Sequence, residues 1–194
     1  MSAGLMSPRV VLMGPPGAGK GTQGALLAEA LGLPKFATGD LLRDAVKRGT
    51  PVGLKAKAAM EAGHLVSDEI IMGVIRDELA KPEAENGVIF DGVVRTIPQA
   101  EGMERLLLER SRSMDHVLFF EVTDEEILGR LVKRLEIEKR ADDDPAAVAI
   151  RLKAYRDQTA PVLAYYEAKG LVRRVPAIGA IDGIASRVRA AIGR

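Results

Sequence analysis

Between the apolar run Arg9-Val-Val-Leu-Met13 and a helical pattern that starts at Lys20 stands Gly14-Pro-Pro-Gly-Ala-Gly19-Lys20, with G-x-x-x-x-G-K spacing. No other stretch of the chain restricts its folding as much. Directly after a buried strand and at the start of a helix, glycines let successive backbone N–H groups point into the loop. The helix N-terminus adds partial positive charge, and Lys20 can reach the outer phosphates of a ligand. A plain glycine-rich turn needs neither the lysine nor this placement. Residues 14–22 are therefore expected to form a phosphate-binding loop that holds a nucleoside triphosphate.

The rest of the chain keeps the strand-then-helix rhythm of a parallel α/β sheet. Further candidate strands are Pro34-Lys-Phe-Ala37, Gly87-Val-Ile-Phe-Asp91, His116-Val-Leu-Phe-Phe-Glu-Val122 and Leu171-Val-Arg-Arg-Val175. Runs such as Val117 to Phe120 are apolar on both faces, as strands covered by helices on each side require. Helices are expected over Lys20 to Leu31, closed by Gly32, and over Asp40 to Arg48, closed by Gly49. Ser67 is a candidate cap for a helix whose first turn carries Asp68 and Glu69, and Asp182 for the final helix. Asp144-Pro145 reads as N-cap and N1 of a long helix ending at Gly170. Between the second and third strands, Thr38 to Lys81 supplies three helical stretches, which suggests an insert beside the sheet.

The 194 residues, 47% hydrophobic, suffice for one main domain. A net charge of +1 gives no wide basic footprint, so neither a nucleic-acid polymer nor a membrane surface is expected as partner. With no cysteine and only His64 and His116, thiol chemistry, disulfides and cysteine- or histidine-rich metal sites are disfavoured. Both histidines are expected at the surface or at strand ends, while Tyr165-Tyr166 and Phe119-Phe120 are expected in the core. The start of the chain lacks the basic flank and apolar run of a secretory signal, and no segment is long enough to span a bilayer. A cytoplasmic location is the expectation.

Position 21 is glycine, with Thr22 after it, where many phosphate loops carry Ser or Thr directly after the lysine. The usual hydroxyl ligand of magnesium is displaced, so a carboxylate elsewhere must help hold Mg2+ and its waters. Asp91 ends a hydrophobic strand and would sit at the carboxyl edge of the sheet, beside the loop. A guanine-dependent switch would use N-K-x-D, but the sole asparagine, Asn86, is followed by Gly87. Phosphoryl transfer calls instead for arginines around the equatorial oxygens, and the chain has several candidates.

Taken in order, Gly14-Pro-Pro-Gly-Ala-Gly-Lys-Gly-Thr-Gln23, Thr38-Gly-Asp-Leu-Leu-Arg43, Asp91-Gly92, Arg95-Thr-Ile-Pro-Gln99 and Arg140-Ala-Asp-Asp143 resemble the adenylate kinases over nearly the whole chain. The resemblance implies a phosphate-loop kinase fold, a parallel five-stranded sheet flanked by helices. Its core would span 8–37, 82–133 and 141–194, with an AMP-binding insert at 38–81 and a short lid at 134–140. It implies reversible transfer of the terminal phosphoryl group from Mg-ATP to AMP, giving two ADP. By motif match, ATP would meet Gly17, Ala18, Gly19, Lys20, Gly21, Thr22, Arg130, Arg134 and Gly179, with Arg130 against adenine. AMP would meet Thr38, Arg43, Val66, Gly92, Arg95, Gln99, Arg140 and Arg151, with Arg43 and Arg95 on its phosphate and Gln99 on its base. Lys20, Arg95, Arg134, Arg140 and Arg151 would surround the transferring group, and Asp142 and Asp143 would help close the lid. The short lid implies no structural zinc, and the resemblance implies a monomer.

Two positions depart from the pattern. The family usually reads D-G-F-P-R at the AMP site, and here the stretch is Asp91-Gly92-Val93-Val94-Arg95. A cis bond costs a non-proline peptide about 2.5–4 kcal/mol, so Val93-Val94 is expected to be trans. Either AMP is held more weakly than in a typical member or neighbouring residues compensate. The alternatives are a uridylate/cytidylate kinase, against which Thr38 and Gln99 speak, and a nucleotide-binding module with impaired transfer.

Overall fold

The computed structural model describes residues 8–139 and 143–194. Five strands, β1 (Arg9–Met13), β2 (Lys35–Ala37), β3 (Val88–Asp91), β4 (His116–Glu121) and β5 (Val172–Pro176), form one parallel sheet in the order β2-β3-β1-β4-β5. This is the expected sheet, with boundaries shifted by a residue or two. β1 is buried along its whole length, whereas β5, at the edge, exposes Arg173 and Arg174. Charged side chains on an edge strand discourage further pairing.

The period-2 alternation of the central strands divides the core in two. Val11, Met13, Phe90 and Val117 face one side, where α4 (Asp68–Leu79) and α5 (Ile97–Leu108) bring Ile71, Ile75, Met103 and Leu107. Val10, Leu12, Ile89, Leu118 and Phe120 face the other, covered by Leu27 of α1 (Lys20–Leu31) and by Ile184 and Val188 of α9 (Ile181–Ala191). A third, small cluster joins Ile127 and Leu131 of α6 (Asp124–Glu138) to Val148 of α7 (Pro145–Ala154). Tyr166 and Phe120 are fully buried, while Tyr165 and Phe119 are half-buried. His64 is exposed and His116 opens β4.

Between β2 and β3 lie α2 (Thr38–Lys47), α3 (Pro51–Glu61) and α4. Thr50 caps α3 by accepting from the Gly53 N–H at 3.1 Å. A Cβ on Gly53 would lie 2.2 Å from the Ala45 carbonyl, so only glycine permits this approach of α3 to α2.

Two expected caps differ. Ser67 stands at the N-cap position of α4, but its side chain makes no capping hydrogen bond. α9 starts one residue before Asp182, with Ala180 at the N-cap. Asp182 therefore meets the helix dipole from the first turn instead of capping it.

Asp144 does cap α7, its Oδ1 accepting from the Ala146 N–H at 3.0 Å. The long helix it begins carries one π turn, Tyr155–Thr159, before continuing as α8 (Ala160–Glu167). Pro161 explains the turn: it has no N–H to give the carbonyl four residues back, and its ring crowds that carbonyl. The Ala160 N–H instead reaches the Tyr155 carbonyl, five residues back.

Candidate active site

β1 and β3 are neighbours at the centre of the sheet, while β4 leaves β1 on the other side. Ligands bind in such sheets where connections diverge at the carboxyl ends of the strands. There the loop after β1 meets Asp91, which lies level with Leu12 and Ala37. Gly17 shows why the loop must be glycine-rich. Its φ is +83°, and a Cβ would press at 3.1 Å on the Ile127 carbonyl oxygen.

Lys20 curls back over this loop, its Nζ donating to the Gly14 and Pro15 carbonyl oxygens at 2.8 and 2.9 Å. Burial lowers its pKa to about 8; Asp91 opposes the shift, and the positive fields of Arg95, Arg151 and Arg134 add to it. Residues far apart in sequence thus converge on one ammonium group. Triphosphate oxygens would favour the protonated form and return the pKa toward its ordinary 10.5. If Lys20 holds a nucleoside triphosphate, its affinity is expected to be full below about pH 8 and to fall as pH rises from 8 toward 10, by up to about tenfold per unit. Titration calorimetry at pH 8.5 in buffers of different ionisation enthalpy should detect proton uptake. Its absence would contradict this assignment.

Arg130 ties three pieces together. Its Nε donates to Glu126 at 2.9 Å, Nη1 to the Ala18 carbonyl at 3.3 Å, and Nη2 to the Ala177 carbonyl at 2.7 Å. It thereby joins α6, the phosphate loop and the turn before Gly179. Arg187, otherwise a solvated helix-face charge, braces that same turn through the Pro176 and Ile178 carbonyls.

Arg134 and Arg151 share one anion. Arg134 grips Asp143 with Nε at 2.6 Å and Nη2 at 2.5 Å, and Arg151 Nη1 reaches the same carboxylate at 3.0 Å. The Asp143 side chain is fully buried under them.

On the opposite wall, Thr38 Oγ1 donates to the Gly92 carbonyl at 3.0 Å, and Arg43 pairs with Asp40. Arg95 Nε donates to the Gly92 carbonyl at 3.0 Å. Its backbone is pinned at both ends: the N–H donates to Gln99 Oε1 at 2.7 Å, and the carbonyl accepts from Thr159 Oγ1 at 3.0 Å. Val93 and Val94 are packed in the core, and no cis peptide occurs among the described residues. Their expected trans bond is observed.

One cavity of about 1070 Å³ connects the two walls. That is room for a drug-sized ligand and more. Of the candidate residues, Gly17, Gly19, Lys20, Gly21, Thr22, Thr38, Arg43, Val66, Asp91, Gly92, Arg95, Gln99, Arg130, Arg134, Arg151 and Gly179 all line it. Ala18 does not; its methyl is buried in the core and only its carbonyl serves Arg130. Arg140 and Asp142 lie outside the described residues. Residues 134–138 are the final part of α6.

Asp91 is a carboxylate suited to a magnesium–triphosphate complex. It is 13% exposed, and a Cβ on Gly21 would come within 3.6 Å of its Oδ2. Asp91 and Gly21 both line the cavity. Among the described residues no three acidic, histidine or cysteine groups gather, so a metal here would rely on water and ligand phosphates for its other oxygens, as magnesium does. Lys35 Nζ stands 3.9 Å from the same oxygen and 3.3 Å from the Gly21 carbonyl.

Lys35, Asp68, Glu126, Asp143 as an arginine clamp, and Thr159 were not identifiable as site residues from sequence. Asp68 reads there only as a first-turn acid; in the structure its Oδ1 accepts from Gln99 Nε2 at 2.7 Å.

Comparison with known proteins agrees in extent with this geometry. Residues 12–171 match the family model described as adenylate kinase. An adenylate kinase of Thermus thermophilus is 47% identical, the match covering 95% of this chain and 96% of the relative. One from Gemmatimonas aurantiaca is 46% identical, covering 94% and 98%. One from Thermobifida fusca is 44% identical, covering 95% and 97%.

Proposed function

The chain belongs to the adenylate kinase family, and on that premise we propose that its cavity holds ATP along the glycine loop and AMP along the Thr38–Gln99 wall. The reaction is that of a nucleoside monophosphate kinase: ATP and AMP give two ADP. A phosphate oxygen of AMP attacks the γ-phosphorus of ATP in line, and the bond to the β–γ bridging oxygen breaks. This chemistry requires positioning and charge neutralisation more than a general base.

The observation that carries the assignment is the convergence of Arg95, Arg134 and Arg151 on Lys20 within one cavity wide enough for both nucleotides. Lys20 exchanges its two loop carbonyls for phosphate oxygens. Arg95 approaches from the AMP wall, and Arg134 and Arg151 from the helical side, where Asp143 holds both. The family resemblance assigns Arg140, which lies outside the described residues, to the same ring. Arg130, held edge-on by three acceptors, offers its planar face to the adenine of ATP near Gly179. Asp91 would hold Mg2+ through water, and the ion, when bound with ATP, offsets phosphate charge. On the family resemblance residues 38–81 would form the AMP insert and 134–140 the short lid, whose closure would exclude water.

The Val93-Val94 departure is compensated by the neighbours of Arg95. Gln99 and Thr159 hold its main chain, and the Gly92 carbonyl holds its side chain. A cytoplasmic location and a monomeric state are proposed on the family resemblance alone; among the described residues no helix is long and apolar enough to cross a membrane.

A coupled assay with Mg-ATP and each of AMP, CMP, UMP and GMP tests the reading. ADP formation is expected to be strongest with AMP. Tight ATP binding without transfer to any monophosphate would overturn it.

A further inference from the structure

Gln99 is almost wholly buried, yet it lines the cavity. A glutamine amide can usually turn over, exchanging its donor and acceptor ends. Here the neighbours remove that freedom. Oε1 faces the Arg95 backbone N–H at 2.7 Å, which can only donate. Nε2 faces Asp68 Oδ1 at 2.7 Å, which as a carboxylate oxygen can only accept. Turning the amide over would set donor against donor at one end and acceptor against acceptor at the other.

Asp68 is itself held in place. Thr96 Oγ1 donates to the same Oδ1 at 3.1 Å and accepts from the Gln99 backbone N–H at 3.3 Å. The three side chains close a circuit between the start of α4 and the start of α5.

We infer that Asp68 is a specificity-determining positioning residue, which locks the Gln99 amide so that the site takes bases with an amino-bearing edge and rejects their oxo counterparts. The inference rests on the reading that Gln99 meets the base of the monophosphate. After the bonds to Arg95 and Asp68, Gln99 keeps one lone pair on Oε1 and one proton on Nε2. Adenine matches them, with its 6-amino group donating and its N1 accepting. Hypoxanthine in the same pose sets O6 against Oε1 and N1–H against Nε2–H. A mobile amide would turn over and accept both, whereas a locked one discriminates.

IMP is the direct probe, since it differs from AMP only at this edge. The ratio of kcat/KM for AMP to that for IMP, at saturating Mg-ATP, is measured for the parent, Asp68→Asn, Asp68→Ala and Gln99→Ala, with thermal melting as a folding control. Asparagine keeps the shape of Asp68 but presents either a donor or an acceptor. In Asp68→Asn and in Asp68→Ala the ratio is expected to fall about tenfold, with KM for ATP unchanged within about twofold. A purely structural role would not move this ratio. Should both folded Asp68 variants keep the parent ratio within about twofold while Gln99→Ala abolishes the preference, the inference fails and the base contact stands. An unchanged ratio in Gln99→Ala would overturn the base contact and the inference with it.

Discussion

Arg95→Ala is expected to lower kcat with AMP by about 10³-fold or more, with ATP binding kept within a few-fold and little loss of stability. The guanidinium is the group on the AMP wall whose field reaches Lys20 most strongly. In the proposed arrangement it would bridge acceptor phosphate and transferring group, where charge is spread over the equatorial oxygens in the transition state. The loop around it does not depend on that side chain. The Gln99 and Thr159 bonds go to the backbone of residue 95, so alanine keeps both. Steady-state kinetics with a melting curve checks both halves; turnover within tenfold of the parent would remove Arg95 from the reacting centre.

Asp143→Ala should be costly in two ways. The buried carboxylate accepts three charge-assisted bonds from Arg134 and Arg151. Such bonds contribute about 1.5–3 kcal/mol each when fully buried. The two guanidiniums are 24% and 15% exposed, and water can serve them once Asp143 is gone. A net loss of about 2 kcal/mol follows, a fall in melting temperature of about 4–8 °C for a chain of this length. With both arginines released from their common anchor, kcat should drop about 10²-fold. A variant that melts lower yet turns over at the parent rate would show that the clamp serves stability alone.

Parts of the fold that depend on contiguous residues were legible in advance. β1, the glycine loop and α1 form one uninterrupted signal, closed by Gly32 in the left-handed region, and its bounds match the structure. Capping was less legible. Whether Ser67 or Asp182 caps depends on the backbone angles of the residue entering the helix, and nearby residue types do not settle those. Arginines on separate helices could be joined only through the motif resemblance, because composition and periodicity also describe a solvated charge. The partners that orient them were hidden for the same reason. Thr159 meets the Arg95 carbonyl only because the chain crosses the sheet between them, and Asp68 meets Gln99 only because α4 and α5 pack side by side.

The π turn at Tyr155–Thr159 bears on how this protein can vary in length. It separates two stretches of one helical rod with different duties. Arg151 and Val148 lie before it, on the cavity and α6 side, and Val162 and Tyr166 lie after it, in the sheet-facing core. Each residue of an α-helix turns the next by about 100°. Deleting or adding one residue between the two stretches would rotate Arg151 by about that angle relative to Tyr166. The side chains of Arg156 and Asp157 are exposed, so it is the number of residues there, more than their identity, that keeps both surfaces in phase, as a gear is held by the teeth on either side.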